Sequence, residues 1–221
     1  MFIVEKKPKS ISAESYRTLR TNIQYSSFDK EIRTIVVTSS EPGEGKSTVA
    51  GNLALSFAQS DKSTIIIDCD LRKPSLHKKF RISNMVGLSD ILIGRKSLVE
   101  AVNQYNENMH IITSGKIPPN PAEMLGSKAM ERLIAELKEI YDVIILDSAP
   151  LQAVTDAQIL STKSDGTILV VRAEKTKSDS VASAKALLDK VNANVLGVVL
   201  NATENRRGKY YYYYGHGEKE K

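Results

Sequence analysis

Residues 34–48 read Thr34-Ile35-Val36-Val37-Thr38-Ser39-Ser40-Glu41-Pro42-Gly43-Glu44-Gly45-Lys46-Ser47-Thr48. A β-branched run, 34–38, leads into a glycine-containing loop, and a helical pattern over 47–59 follows. This strand–loop–helix order is the context in which a phosphate-binding loop works. Glycines let backbone N–H groups close around phosphate oxygens, and the helix N-terminus adds the positive end of its dipole. On this reading the loop amides of Gly43, Glu44, Gly45, Lys46, Ser47 and Thr48 bind the nucleotide phosphates. Lys46 bridges the terminal phosphates and Ser47 ligates Mg²⁺. The first glycine of the usual pattern is Ser40 here, and the bland reading is a glycine-rich turn before an ordinary helix.

Outward from this stretch, further strands are predicted at 63–68, 110–113, 142–147, 167–171 and 195–201. Helices are predicted at 12–25 with Ser12 as cap, and at 87–92, 121–140, 153–161 and 178–192. Runs such as Ile65-Ile66-Ile67 and Val143-Ile144-Ile145-Leu146 are apolar on both faces, as strands of a covered parallel sheet must be. The alternation predicts an α/β fold, a doubly wound, mostly parallel sheet of P-loop NTPase type with helices on both faces. Ligands of such sheets bind beyond the carboxyl ends of the strands. Three carboxylates stand there: Asp68 and Asp70 after 63–67, and Asp147 after 143–146. Beside a magnesium nucleotide they can order the metal's waters and accept a proton. Aspartates also serve as plain turn and cap residues.

The 221 residues carry 31 Lys and Arg against 26 Asp and Glu, a net charge of +5. That mild excess permits an anionic partner without demanding one, so nucleic acid is not expected. One cysteine, Cys69, excludes an intrachain disulfide and fits a reducing compartment. No apolar stretch approaches the length needed to cross a bilayer. The three histidines have no ligand spacing for zinc. Three parts are expected: an arm and helix over 1–30, the nucleotide-binding domain over 31–203, and a polar tail over 204–221. Residues 2–4 look too short to anchor anything and suit pairing with a partner, and 6–10 read as a loose basic arm.

The tail holds Tyr210, Tyr211, Tyr212, Tyr213 and Tyr214 in succession. The run fits neither helix nor strand periodicity. A phenol needs a positioned base to become a nucleophile at neutral pH. Mobile phenols beside a nucleotide site suggest self-phosphorylation; an adhesive strip or an idle tail is the structural alternative. Each phosphate would add about −1.5 to −2 charges, enough in sum to eject the tail and loosen subunit contacts. Glu14, Arg17 and Arg20 share a helix face, as E-x-x-R-x-x-R. Such a face can pair between chains or simply hold an intrahelical Glu14–Arg17 pair.

With these residues in hand, the chain resembles the bacterial tyrosine kinases (BY-kinases). Asp68-Cys69-Asp70-Leu71-Arg72 looks like their second Walker A element, D-x-D-x-R, and Asp147-Ser148-Ala149-Pro150 like their Walker B element, with Ala149 where a proline is usual. The likeness is to the Gram-positive type, whose membrane activator is a separate chain. It implies an ATP- and Mg²⁺-dependent protein tyrosine kinase in which Lys46, Asp68, Asp70 and Asp147 are catalytic. Asp68 is then the base, with Ser47, Asp70 and Asp147 around the metal, though these roles could be exchanged. The resemblance also implies phosphorylation of the tail in trans and a ring oligomer, of octameric precedent, built through Glu14, Arg17 and Arg20. The implied partners are a transmembrane activator with a cytoplasmic C-terminal segment, protein tyrosine substrates and a cognate phosphatase. The implied setting is the cytoplasmic face of the membrane, in capsular and exopolysaccharide synthesis and export. Asn201 either meets the adenine edge, as in MinD-like ATPases, or merely ends its strand, and Arg72 is either part of the pattern or a loop anchor. The rival is a MinD- or ParA-like dimeric switch ATPase whose output is binding. The tyrosine run and the missing signature lysine before Gly43 speak against it.

Overall fold

The computed structural model describes residues 2–26 and 31–203. The tail tyrosines therefore lie outside the described residues. Among the described residues seven strands form one sheet: β1 (Thr34–Ser39), β2 (Thr64–Asp68), β3 (Val102–Asn106), β4 (Met109–Ile112), β5 (Val143–Asp147), β6 (Gly166–Arg172) and β7 (Val195–Asn201). Their order is β3-β4-β2-β5-β1-β6-β7. All neighbours run parallel except β3, which pairs antiparallel with β4. The β3 strand was not anticipated. Its Asn, Gln and Tyr residues lack the apolar signature because it is an edge strand, joined to β4 by a short turn.

The helices are α1 (Ile3–Lys6), α2 (Ile11–Gln24), α3 (Lys46–Ala58), α4 (Leu76–Phe80), α5 (Leu88–Leu92), α6 (Leu98–Ala101), α7 (Pro121–Gly126), α8 (Lys128–Ile140), α9 (Asp156–Ser161) and α10 (Ser178–Asp189). The helix expected over 121–140 is two helices. Ser127 is extended and its hydroxyl accepts from Met130 N, so a new N-cap interrupts the run. The cap of α2 is Ser10, which accepts from Ala13 N, and not Ser12. Side chains on opposite faces of the central strands fill two separate cores. Ile35, Val37, Ile66 and Ile145 face α3 and the N-terminal helices, while Val36, Ile65, Ile67 and Ile144 face α7 and α8. This two-sided burial is why those strands read as continuous apolar runs.

The N-terminal segment departs most from expectation. Phe2 and Val4 are buried in the core of their own chain, and the basic stretch after them, though its side chains are exposed, is held by backbone hydrogen bonds and by Arg17, which donates to Pro8 O at 2.8 Å. The Phe2 ring lies 4.5 Å from Phe80 and sits where a side chain on Gly51 of α3 would stand. Val4 N donates to Asn52 Oδ1 at 3.1 Å, and Asn52 Nδ2 donates to Thr48 O at 2.8 Å. The Tyr105 hydroxyl donates to Glu5 at 2.9 Å. Glycine at position 51 lets an aromatic ring meet the helix backbone, something hydrophobic periodicity alone does not signal. No described helix is long and apolar enough to cross a membrane.

Candidate active site

The adjacent strands β2, β5 and β1 end together, and parallel register places Asp68 opposite Asp147. The loop between β1 and α3 curls over these ends. Gly45 caps α3 with φ +96°, and a Cβ there would lie 2.1 Å from Asn201 Nδ2. Only glycine meets both demands. Asn201, at the end of β7, donates this amide to Glu44 O at 2.8 Å and so braces the loop. Glu44 is buried. Its carboxylate accepts from Glu41 N at 2.8 Å and from the Thr176 hydroxyl, closing the loop against the segment after β6. Glu41 accepts from the Ser180 hydroxyl at 2.5 Å, and Gln152 Nε2 donates to Ser180 Oγ at 2.8 Å. Sequence reasoning assigned Glu44 only through its backbone. The partners Thr176, Ser180 and Gln152 come from distant segments with no motif of their own.

Lys46 Nζ rests 2.9 Å from Asp70 Oδ2 and 3.6 Å from Asp147 Oδ1. Burial lowers the proton affinity of this amine, but Asp147 and Asp70 outweigh it and the pKa is raised. Asp68 is fully buried, and its Oδ2 accepts from Ser75 N and Leu76 N, both at 2.9 Å. Burial, then the neighbouring Asp147 charge, pushes the Asp68 carboxyl up to about 7. Burial likewise raises Asp147, against the pull of Lys46. Neither Asp147 oxygen accepts a well-aligned hydrogen bond among the described residues; the Ser47 hydroxyl and the Lys46 ammonium, at 3.6 Å, are its near donors. A buried carboxylate left short of donors beside the Ser47 hydroxyl fits a metal ion whose bound waters would donate to it. No three His, Cys, Asp or Glu side chains among the described residues form a metal-holding group by themselves. The ion would therefore depend on Ser47 and on phosphate oxygens as well.

The site opens into a cavity of about 700 Å³ on the α1–α2 side and another of about 590 Å³ on the side of Asp70 and Ala149. Asn201 and Thr48 line the first; Lys46, Ser47, Thr48 and Asp70 line the second. Lys79, absent from the sequence reading, donates to Thr48 Oγ1 at 2.9 Å. Arg72 is a loop anchor: its guanidinium grips the buried Asp156 at 3.0 and 3.1 Å, tying the second Walker A element to α9. Cys69 is buried, with its thiol pKa raised well above the usual value by desolvation. Glu14, Arg17 and Arg20 stand apart on α2. Arg17 pairs with Glu14 at 2.8 Å, and Arg20 donates to Ser56 O on α3 at 2.7 Å.

A chain with this sheet order, phosphate loop and aspartate cluster is a P-loop NTPase. Residues 31–221 match the family described as ParA, NUBPL iron-transfer P-loop NTPase. The chain is 44% identical to tyrosine-protein kinase YwqD of Bacillus subtilis (strain 168), over 96% of this chain and 90% of that one. It is 38% identical to the putative tyrosine-protein kinase CapB of Staphylococcus aureus, over 96% of this chain and 94% of that one. The solved kinase domain of the Escherichia coli tyrosine kinase ETK superposes with a TM-score of 0.89 at 31% identity, covering 96% of this chain and 83% of that one. The chain belongs to the bacterial tyrosine kinases, a branch of the ParA-type P-loop NTPases. It is accordingly a protein tyrosine kinase that uses a nucleotide and a divalent metal.

Proposed function

We propose that this kinase binds ATP with Mg²⁺ and transfers the terminal phosphoryl group to tyrosine hydroxyls, among them Tyr210 to Tyr214 of a neighbouring copy. The observation that carries the reading is the convergence of Lys46, Asp70 and the buried Asp147 at the mouth of the phosphate loop. A bound Mg²⁺ would supply charge neutralisation for the phosphates. The loop amides of Gly43 to Thr48 hold the phosphates, and Lys46 leaves Asp70 to meet the oxygens of the transferred group. Ser47, Asp70 and Asp147 hold the ion and its waters. Asp68, fixed by two backbone amides, takes the phenol proton as the oxygen attacks phosphorus and the nucleoside diphosphate leaves. Catalysis is then positioning plus electrostatics.

The remaining parts of the proposal follow the family resemblance. Glu14, Arg17 and Arg20 join copies into a ring, expected to be an octamer. A transmembrane activator with a cytoplasmic C-terminal segment recruits the chain to the inner face of the membrane. A cognate phosphatase resets the tail. The cycle regulates capsular and exopolysaccharide synthesis and export, and other proteins serve as further tyrosine substrates. Asn201, besides its bond to the loop, stands in the wall of the cavity by α1 and α2, a position suited to an adenine edge.

Intact-mass spectrometry after incubation with ATP, Mg²⁺ and the activator tests the reading. Steps of about 80 Da on the wild-type chain, mapped to residues 210–214 and absent from Lys46→Met, are expected. Nucleotide hydrolysis with no gain in protein mass would favour the switch ATPase instead.

A further inference from the structure

The cavity on the Asp70 side has a lopsided charge. Lys46, Arg72, Lys73, Lys78 and Lys79 line it, and among the described residues Asp70 is the one carboxylate in its wall. Most of these cations are engaged. Lys46 sits between Asp70 and Asp147, Arg72 holds Asp156, and Lys79 donates to Thr48. The side chains of Lys73 and Lys78 are exposed and make no hydrogen bond or ion pair with the described residues. They flank the outer lip: Lys73 in the loop after the second Walker A element, Lys78 on α4. Their backbone is held firmly, since Lys73 N donates to Asp70 at 2.9 Å and α4 begins on the two amides that bind Asp68. Two ammonium groups, unpaired among the described residues, thus extend from a firmly held backbone at the entrance to the site.

We propose that Lys73 and Lys78 form a phosphotyrosine subsite: they bind a tyrosine already phosphorylated two residues from the one entering the site, on the same face of the extended run. The inference rests on the tail being the substrate. A phosphate monoester carries about −1.5 to −2 charges, which matches two lysines. In an extended run of tyrosines, residues two apart are separated by about 7 Å, so a phosphate on one travels to the lip as its neighbour reaches the reacting phosphorus. The unphosphorylated tail carries Arg206, Arg207 and Lys209 just before the tyrosines and meets this lip with like charge. The first transfer is therefore the slow one, and the next is helped. The lip saturates with one or two phosphates. Further ones face Asp70 and the bound nucleotide, which agrees with release of a fully modified tail.

The test uses the full chain with its five tail tyrosines changed to phenylalanine, and a labelled peptide of residues 205–221 with or without a single phosphate on Tyr212. Binding is followed by fluorescence polarisation with ADP and Mg²⁺ present. The phosphopeptide is expected to bind roughly five- to tenfold more tightly, as two partly exposed charge pairs allow. Lys73→Ala with Lys78→Ala should abolish the preference by weakening the phosphopeptide, leave the affinity for ADP unchanged, and leave unmodified peptide bound as well as before or slightly more tightly, since like charge is removed. Equal binding of the two peptides, or a preference that survives the double substitution, would overturn the subsite. So would a loss of ADP affinity that accounts for the whole effect, because the lysines would then serve the nucleotide. Failure of the kinase reading registers separately, as no gain in mass on either peptide with ATP and activator, and leaves the binding comparison readable.

Discussion

Arg72 and Asp156 show how one pair of side chains sets the geometry of the site. Asp156 is fully buried at the first position of α9, while the Arg72 side chain is 41% exposed. The bidentate grip joins the strand end bearing Asp68 and Asp70 to the segment that follows Asp147. Breaking it leaves a buried carboxylate without its cation, which is costly, although solvent at Arg72 softens the loss. Arg72→Met should therefore cost roughly 1–3 kcal/mol. In a chain of this size that lowers Tm by roughly 2–10 °C. Asp156→Asn combined with Arg72→Met should recover part of the loss in a calorimetric double-mutant cycle. Additive effects would show that the pair is not coupled. At this scale the sequence was informative where chemistry repeats in a short motif. Lys46, Ser47, Asp68, Asp70 and Asp147 stand at one place in the fold because parallel strands end together. Asp156, Lys79 and Thr176 were invisible, since each acts across a gap of tens of residues on a partner that no local spacing reveals.

The elements around the phosphate loop are connected more tightly than their patterns suggest. The loop is held by Asn201 from β7 and by Thr176 and Ser180 at the start of α10. Its helix, α3, carries the N-terminal segment on its outer face through Phe2, Val4 and Asn52. Phe2→Ala removes a buried aromatic, a change that costs about 3–5 kcal/mol in a well-packed core. A terminal segment can instead detach locally. The expected result is a fall in Tm of a few degrees together with rapid hydrogen exchange at the amides of residues 3–7. Unchanged protection there would show that the ring does not hold the segment. The central strands were legible because burial on both faces imposes an apolar run. The β3 edge, the break at Ser127 and the small helices α1, α4 and α6 were not, because short or edge elements take their stability from tertiary contacts rather than from periodicity.

For the whole molecule, the open question is how copies meet. In this chain Arg17 is satisfied by Glu14 and by Pro8 O, while Arg20 donates one terminal nitrogen to Ser56 O and its buried Nε has no partner among the described residues. The arginines thus have local partners that an interface would have to exchange. Arg17 is the cleaner probe, since Arg20 also ties α2 to α3. Arg17→Glu should give a monomer by light scattering that still binds nucleotide, whereas an assembly of unchanged mass would reject α2 as the contact. Transfer of phosphate between copies can be read by mixing two variants. Lys46→Met supplies a tail but no working site, and a chain with phenylalanine at 210–214 supplies a site but no tail. With ATP, Mg²⁺ and activator, phosphate is expected on the tail of the Lys46→Met chain only when both are present. A Lys46→Met tail that stays unmodified in the mixture, while wild type alone is modified, would contradict transfer between copies.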